Sequence, residues 1–222
     1  MNTVLLAPVS NLTSPKSWGS RLAIKGQISN IWSKYGNFIK SSSKESGIPE
    51  AILIAFIAVE SGGNPSAGSG NTKNLFQFNT SYVNEQLKNE FLSKRLSPVE
   101  KSKLSAYGFN FDEKGNTKTF TNADALKPEL AILVGSIIVA QLFDQPFGKT
   151  DGMLRLDKVI TVYNSGLYSR WSKIAIASKS TNAKQLHDEL SGNSVTQSYI
   201  AKILGLNGAI DIINNDLVNT IV

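Results

Sequence analysis

Apolar side chains recur at three- and four-residue spacing through Ile28, Ile31, Trp32, Tyr35, Phe38 and Ile39. That stripe predicts an amphipathic helix from near Ser20, with Trp32 in the core. The polar stretch "SSSKESG", Ser41 to Gly47, ends it. Pro49 suits the first turn of the next helix, and Glu50 sits well near its positive end. From Ala51 to Val59 every residue is apolar, which predicts a helix buried on all sides and running to about Ser61. Gly62 and Gly63 stop it as a C-cap pair, and Pro65 prevents its resumption. The greasiest segment of the chain therefore ends on a carboxylate, Glu60.

Helical patterns return around Phe76 to Leu96, after a small-residue loop from Ser66 to Asn74. "YGFNFDEKGNTKTFTN", Tyr107 to Asn122, reads as a hairpin or an irregular excursion: "KGN" is a turn signal, and Thr117, Thr119 and Phe120 favour extended backbone. Pro128 opens an apolar helix to about Phe143, and Leu156 to Tyr163 predicts another buried one. Shorter helical segments follow at Trp171–Ala177, Ala183–Leu190 and Val195–Leu204, and an apolar piece at Ala209–Val222. Residues 1–17 read as a loose arm. The fold class is mainly α around a buried central helix, with at most a small β excursion.

Composition narrows the chemistry. The chain has 222 residues, 41% hydrophobic and 18% charged, which is a globular composition. There is no cysteine and a single histidine, His187, so thiolate and histidine-rich metal sites are excluded. The net charge of +6 favours an anionic partner: nucleic acid, a membrane surface or an anionic cell wall. No helix-turn-helix, zinc-finger or RNP-type motif accompanies the charge, no apolar run reaches membrane-spanning length, and the N-terminus lacks the pattern of a Sec signal.

A carboxyl group in apolar surroundings, at the negative end of a helix, resists ionisation and can serve as a general acid. Glu60 is placed for that role; on the helix pattern alone it equally reaches solvent or pairs with a lysine. The neighbouring residues bear on the choice. "ESGGNPSAGSGNTKNLFQFN", Glu60 to Asn79, resembles the catalytic segment of lytic transglycosylases related to goose-type lysozyme. Glu60-Ser61, Asn64-Pro65, Ser69 and Leu75-Phe76-Gln77 stand where that family has Glu-Ser, Asn-Pro, Ser and Leu-Met-Gln. The loop is one residue shorter, and Asn74 replaces a glycine; asparagine tolerates positive φ, so the turn is expected to survive. "VITVYNSGLYSRW", Val159 to Trp171, resembles the family's Ala-Tyr-Asn-Ala-Gly motif, through Tyr163, Asn164 and Gly166. "VTQSYIAKIL", Val195 to Leu204, resembles Glu-Thr-x-x-Tyr-Val-x-Lys-Val-Leu, with Val195 in place of the glutamate.

The resemblance implies a lysozyme-like helical domain over 18–205, with 80–122 as an insertion and 206–222 as a C-terminal helix or docking segment. It implies cleavage of the MurNAc-β-1,4-GlcNAc bond of peptidoglycan by Glu60 alone, leaving a 1,6-anhydro sugar and needing no cofactor or metal. Ser69 would hydrogen-bond the carboxyl group or the glycan, and Gln77 would line the groove or stabilise the turn. Tyr163 would place a phenol near Glu60 or the N-acetyl group, Asn164 would hold its loop, and Tyr199 would border a sugar or pack inside. Phe76 and Phe78 are expected in the core. The expected partners are glycan strands and other virion proteins, with no nucleic acid and no stable membrane insertion; the expected setting is a phage particle or release to the cell wall. Two rivals stay open: a hydrolytic lysozyme using an aspartate of the insertion, and a non-catalytic glycan-binding protein.

Overall fold

The computed structural model describes residues 9–150 and 153–221. The chain enters as strand β1 (Val9–Thr13) and continues through α1 (Arg21–Ser46), α2 (Glu50–Ser61), α3 (Thr80–Leu92), α4 (Pro98–Ala106), α5 (Asn122–Ala125) and α6 (Pro128–Asp144). A short antiparallel pair, β2 (Lys149–Thr150) and β3 (Met153–Leu154), leads to α7 (Leu156–Ser165), α8 (Arg170–Ala177), α9 (Ala183–Glu189) and α10 (Ser194–Leu204). Strand β4 (Gly205–Leu206), α11 (Ala209–Asp216) and α12 (Val218–Ile221) finish the described chain. The mainly helical class expected from the pattern is what the protein adopts. No helix among the described residues is long and apolar enough to cross a membrane. The elements fall into two compact units, one of residues 30–141 and one of residues 1–29 with 142–222.

In the 30–141 unit, α2 is the helix that the unbroken apolar run predicts. Every residue from Ile52 to Ala58 is buried. Burying each large aliphatic or aromatic side chain among them contributes roughly 2 kcal/mol. Gly62 takes the left-handed conformation, φ 62°, and its N–H returns to the Ala58 carbonyl. The stripe on α1 is narrower than expected. Ile31, Tyr35 and Ile39 are buried, but Trp32 and Phe38 are only half-buried, so Trp32 is not a core residue. The core-facing positions repeat strictly at three and four residues, and Trp32 lies one step to the side of that line. The helix also runs through the three serines to Ser46, whose hydroxyl donates to the Ser42 carbonyl (2.8 Å), and stops at Gly47.

Residues 80–122, expected as an insertion, are a folded part of this unit. Val83 and Leu87 of α3, Leu104 of α4, Phe109, Phe120 and Ala125 form one cluster with Leu130, Leu133, Val134, Ile137 and Ile138 of α6. No hairpin forms over 107–122; that stretch is irregular. Its rings go inward instead, Phe109 beside Phe120 (centroids 6.0 Å) and Phe111 stacked on Phe91 (4.7 Å). The backbone of Phe120 is paired by a side chain: its N–H donates to Asn84 Oδ1 (2.7 Å) and its carbonyl accepts from Asn84 Nδ2 (3.1 Å). "KGN" does turn, around Asp112 Oδ1, which accepts from the N–H groups of Lys114 and Asn116. Helix α4 went unread in the sequence although Ser97-Pro98-Val99-Glu100 carries a capping box with proline at the first turn.

In the other unit, α7 packs on α8 and α10, and α10 on α11. Residues 1–8 of the expected arm lie outside the described residues. Val9–Thr13 is not loose: it pairs in parallel with β4, and Leu12 is buried. A strand whose partner sits near the opposite chain end has no local signature. Arg21 fastens the same ends, donating to Asp216 (3.0 and 2.8 Å), to Asp211 (2.6 Å) and to Asn207 Oδ1 (3.0 Å). The C-terminal piece is helical as read, but breaks at Leu217.

Two predictions follow from the packing of the 30–141 unit. Gly135 of α6 leaves room for the buried Phe76 ring; a Cβ there would lie 2.5 Å from it. Gly135→Ala gains about 1 kcal/mol of helix propensity but overpacks by roughly 1–3 kcal/mol. A lower urea midpoint is expected, restored when Phe76→Leu is added. Burial pushes the Asp124 carboxyl up, but hydrogen bonds from Lys118, Thr121 and Lys127 outweigh it and hold its pKa at about 2. Because the folded value lies below the unfolded one, this stabilisation is complete above about pH 4 and is lost as pH falls toward 2. Asp124→Asn should therefore cost roughly 1–2 kcal/mol near neutrality and almost nothing at pH 2, read from thermal unfolding at both pH values.

Candidate functional site

Glu60 occupies the last turn of α2 and is half-buried. The turn beyond it is held at several points. Ser61 Oγ donates to the Ile57 carbonyl (3.0 Å) and accepts from the Gly63 N–H (3.2 Å). Gly63 has φ 80°, and a Cβ there would lie 2.6 Å from Ile31 of α1, so only glycine fits. Tyr35 Oη, also on α1, donates to the Gly63 carbonyl (3.0 Å). Asn64 Oδ1 then accepts from the Ser66 N–H (2.9 Å), an Asx turn that opens the loop.

The loop returns to Glu60 through Gln77. Its side-chain amide donates to the Glu60 backbone carbonyl, one of the acceptors that a helix end leaves without a partner. Of the two roles expected for Gln77, the structure supplies the turn-stabilising contact. Asn74 does not take positive φ; among the described non-glycine residues of this segment that conformation falls on Gln77 itself, φ 52°. Asn74 is buried and works through its side chain. Oδ1 accepts from the N–H groups of Phe76 (3.0 Å) and Phe78 (3.2 Å), and Nδ2 donates to the Phe78 carbonyl (2.8 Å). The asparagine that departs from the family glycine thus folds the segment around Gln77. Phe76 is buried, and Phe78, half-buried, stacks parallel to it at 5.9 Å. Ser69 is exposed, just before a single 3-10 turn (Gly70–Thr72) in which Thr72 Oγ1 donates to the Ser69 carbonyl (2.8 Å).

Tyr163, Asn164 and Tyr199 belong to the other unit, and there the second and third motifs meet. Asn164 Oδ1 accepts from Thr196 Oγ1 (3.0 Å), and the Tyr163 and Tyr199 rings lie 6.3 Å apart at 24°. Asn164 thus ties α7 to α10; Tyr163 is half-buried, whereas Tyr199 is buried. Asn193 supports Thr196 twice, Nδ2 donating to Oγ1 (2.6 Å) and Oδ1 accepting from its N–H (3.2 Å). Ser165, another departure, donates to the Thr161 carbonyl (2.6 Å) and lies 2.9 Å from Ser172 Oγ, which donates to the Gly166 carbonyl (2.7 Å). The start of α7 is fixed by a buried pair, Arg155 and Asp157, that no local sequence pattern marks. Arg155 grips Asp157 with two bonds (2.9 and 2.7 Å) and donates to the Ser180 carbonyl (2.7 Å). Burial lowers the pKa of Lys158, with help from the nearby Arg155, while its ammonium donates to the Ser178 carbonyl (2.7 Å). Val195, at the family's glutamate position, is 69% exposed beside Tyr199 and Lys202. Among the described residues no three His, Asp or Glu side chains gather as a metal site.

A mainly helical domain whose buried helix ends on a glycine-turned, side-chain-anchored glutamate is lysozyme-like. The family model described as transglycosylase SLT domain matches residues 37–186, well over half of the chain, and the chain belongs to that family. At the family level this is lytic transglycosylase chemistry on peptidoglycan. No curated protein matches the sequence.

Asn74→Ala should destabilise by roughly 2–3 kcal/mol, because it strips the acceptor from the N–H groups of Phe76 and Phe78. Asn74→Asp keeps that acceptor and should lose less. Chemical denaturation of the three proteins side by side checks the order; equal midpoints would count against the staple.

Proposed function

We propose that the chain is a peptidoglycan lytic transglycosylase with Glu60 as its single acid and base. Glu60, protonated, gives its proton to the glycosidic oxygen between MurNAc and GlcNAc as the C1–O bond breaks. The C6 hydroxyl oxygen of the same MurNAc then bonds to C1, and its proton passes to the Glu60 carboxylate. Atoms balance without water, and the acid form of Glu60 is restored for the next cycle. We assign Ser69 to the carboxyl group or glycan, Gln77 to holding the catalytic turn, and Tyr163 to the substrate N-acetyl group, with Asn164 and Tyr199 supporting it. The setting we propose is local wall opening by a phage particle.

The observation that carries the reading is the mounting of Glu60. A solvent-facing glutamate on an ordinary helix end would need neither a second left-handed glycine, Gly63, braced by Ile31 and Tyr35 of α1, nor a distant amide on its own carbonyl. Such fastening costs conformational freedom and is reasonable where a carboxyl group must be aimed. The hydrolytic rival needs an aspartate of the insertion as a base. Asp112, the one aspartate within 80–122, is spent on the turn with Lys114 and Asn116; the Asp124 carboxylate just beyond that stretch, with its pKa held at about 2 by two lysines and Thr121, is a poor proton acceptor. The non-catalytic rival draws on Val195, which removes a carboxylate from the third motif but leaves Glu60 and its turn whole.

The test is the product. Wild-type protein incubated with purified peptidoglycan should release muropeptides lighter by one water and without a free reducing end. Glu60→Gln should release none, a loss of at least about a thousandfold if proton transfer is rate-limiting. Hydrated, reducible products would favour the hydrolase, and product from the variant would remove Glu60 from the reaction.

A further inference from the structure

Trp32 and Phe38 flank the buried stripe of α1 and are half-buried. Gly36 lies between them, well inside the helix, where glycine is costly beside alanine. Its φ is not positive, so the backbone has no need of it. Space explains it. A Cβ at Gly36 would lie 3.2 to 3.4 Å from Cδ2, Cε3 and Cε2 of Trp32, the fused edge of the indole. The glycine lets the indole lie down along the helix. Lys40 Nζ, one turn further, is 4.9 Å from the ring centroid and fixes it from that side. Trp32, Lys34, Gly36, Asn37, Phe38 and Lys40 line a surface pocket of about 190 Å³.

An aromatic ring already laid flat, two lysines and an amide form a chemically specific surface. The apolar C–H face of a sugar stacks on an indole, and a ring held in place before binding loses little freedom on contact. The ammonium groups of Lys34 and Lys40 suit a carboxylate; burial raises the pKa of the Glu50 carboxyl, and Lys40 already acts on it to lower that value. Peptidoglycan carries both features, sugar rings and the carboxylates of its lactyl ethers and stem peptides. The same helix supplies Ile31 and Tyr35, which brace the Gly63 turn just past Glu60.

We propose that the Trp32 pocket of α1 is a second glycan-strand site, in which a sugar ring stacks on the indole and an adjacent carboxylate meets Lys34 and Lys40. It rests on the reading of peptidoglycan as substrate. Its occupation holds the strand along the unit that carries Glu60.

Binding is measured on full-length protein in the non-cleaving Glu60→Gln background, with intact peptidoglycan by sedimentation and with peptide-free N-acetylglucosamine oligomers by isothermal titration calorimetry. Trp32→Ala should weaken both interactions roughly three- to tenfold. Gly36→Ala should weaken both in the same direction while its thermal midpoint holds or rises, since alanine favours the helix and only the indole is displaced. Lys34→Gln should weaken binding to peptidoglycan alone. Unchanged binding by Trp32→Ala and Gly36→Ala overturns the site, and equal weakening of both ligands by Lys34→Gln overturns its carboxylate half. Anhydro products from wild type together with unchanged binding by the variants reject the pocket and leave the Glu60 reaction standing. Binding that depends on Trp32, with no product from wild type, does the reverse. No binding and no product reject both.

Discussion

The last turn of a helix leaves carbonyls that the helix cannot satisfy, and in this protein one of them belongs to Glu60. It is taken by the side-chain amide of Gln77, which stands in left-handed backbone at the end of a long loop. Because the bond joins the peptide of Glu60 itself to that loop, the orientation of its carboxyl group depends on how the loop folds. Asn74 decides the loop by collecting three backbone groups of Phe76 and Phe78. Phe76 is anchored in turn through the gap left by Gly135. A chain of contacts thus runs from a core glycine on α6 to the carboxylate-bearing turn of α2, all within one unit. A site mounted this way is rigid because each support is itself supported.

The other unit applies the same logic to the remaining motifs. The Tyr-Asn and Thr-Tyr stretches lie on α7 and α10, and their own signature residues join them: Asn164 to Thr196, Tyr163 to Tyr199. Arg155 and Asp157, buried as a bidentate pair with Ser180, set where α7 starts. An isolated buried ion pair is weak evidence for stability. Here the guanidinium also reaches a backbone carbonyl and a hydroxyl, which compensates part of its lost hydration. The pair therefore defines position more than it adds energy.

Residues 107–122 show how a polar-looking stretch can belong to a core. They contain few apolar positions, and their turn signal suggests extended strands. The phenylalanines at 109, 111 and 120 are instead inward anchors, and the backbone between them is satisfied by Asn84, Asp112 and local turns. An extended segment whose partner is a side-chain amide looks, in sequence, like one waiting for another strand.

Local pattern was enough for the helices. Unbroken apolar composition determined α2 as a buried helix, and Gly62, which takes φ 62° without the strain a side chain would add, determined where it stops. Glu60, Asn64, Tyr163 and Asn164 were legible because their spacing is carried by short contiguous motifs. What tertiary structure alone decided are the pairings between distant positions: β1 with β4, Arg21 with Asp211 and Asp216, Asn84 with Phe120, Gln77 with Glu60. It also decided that Trp32 lies beside the buried stripe, although it shares the stripe's spacing. Periodicity records which side of a helix a residue faces to within a step or two, and hydrogen-bond partners brought together by folding leave no period at all.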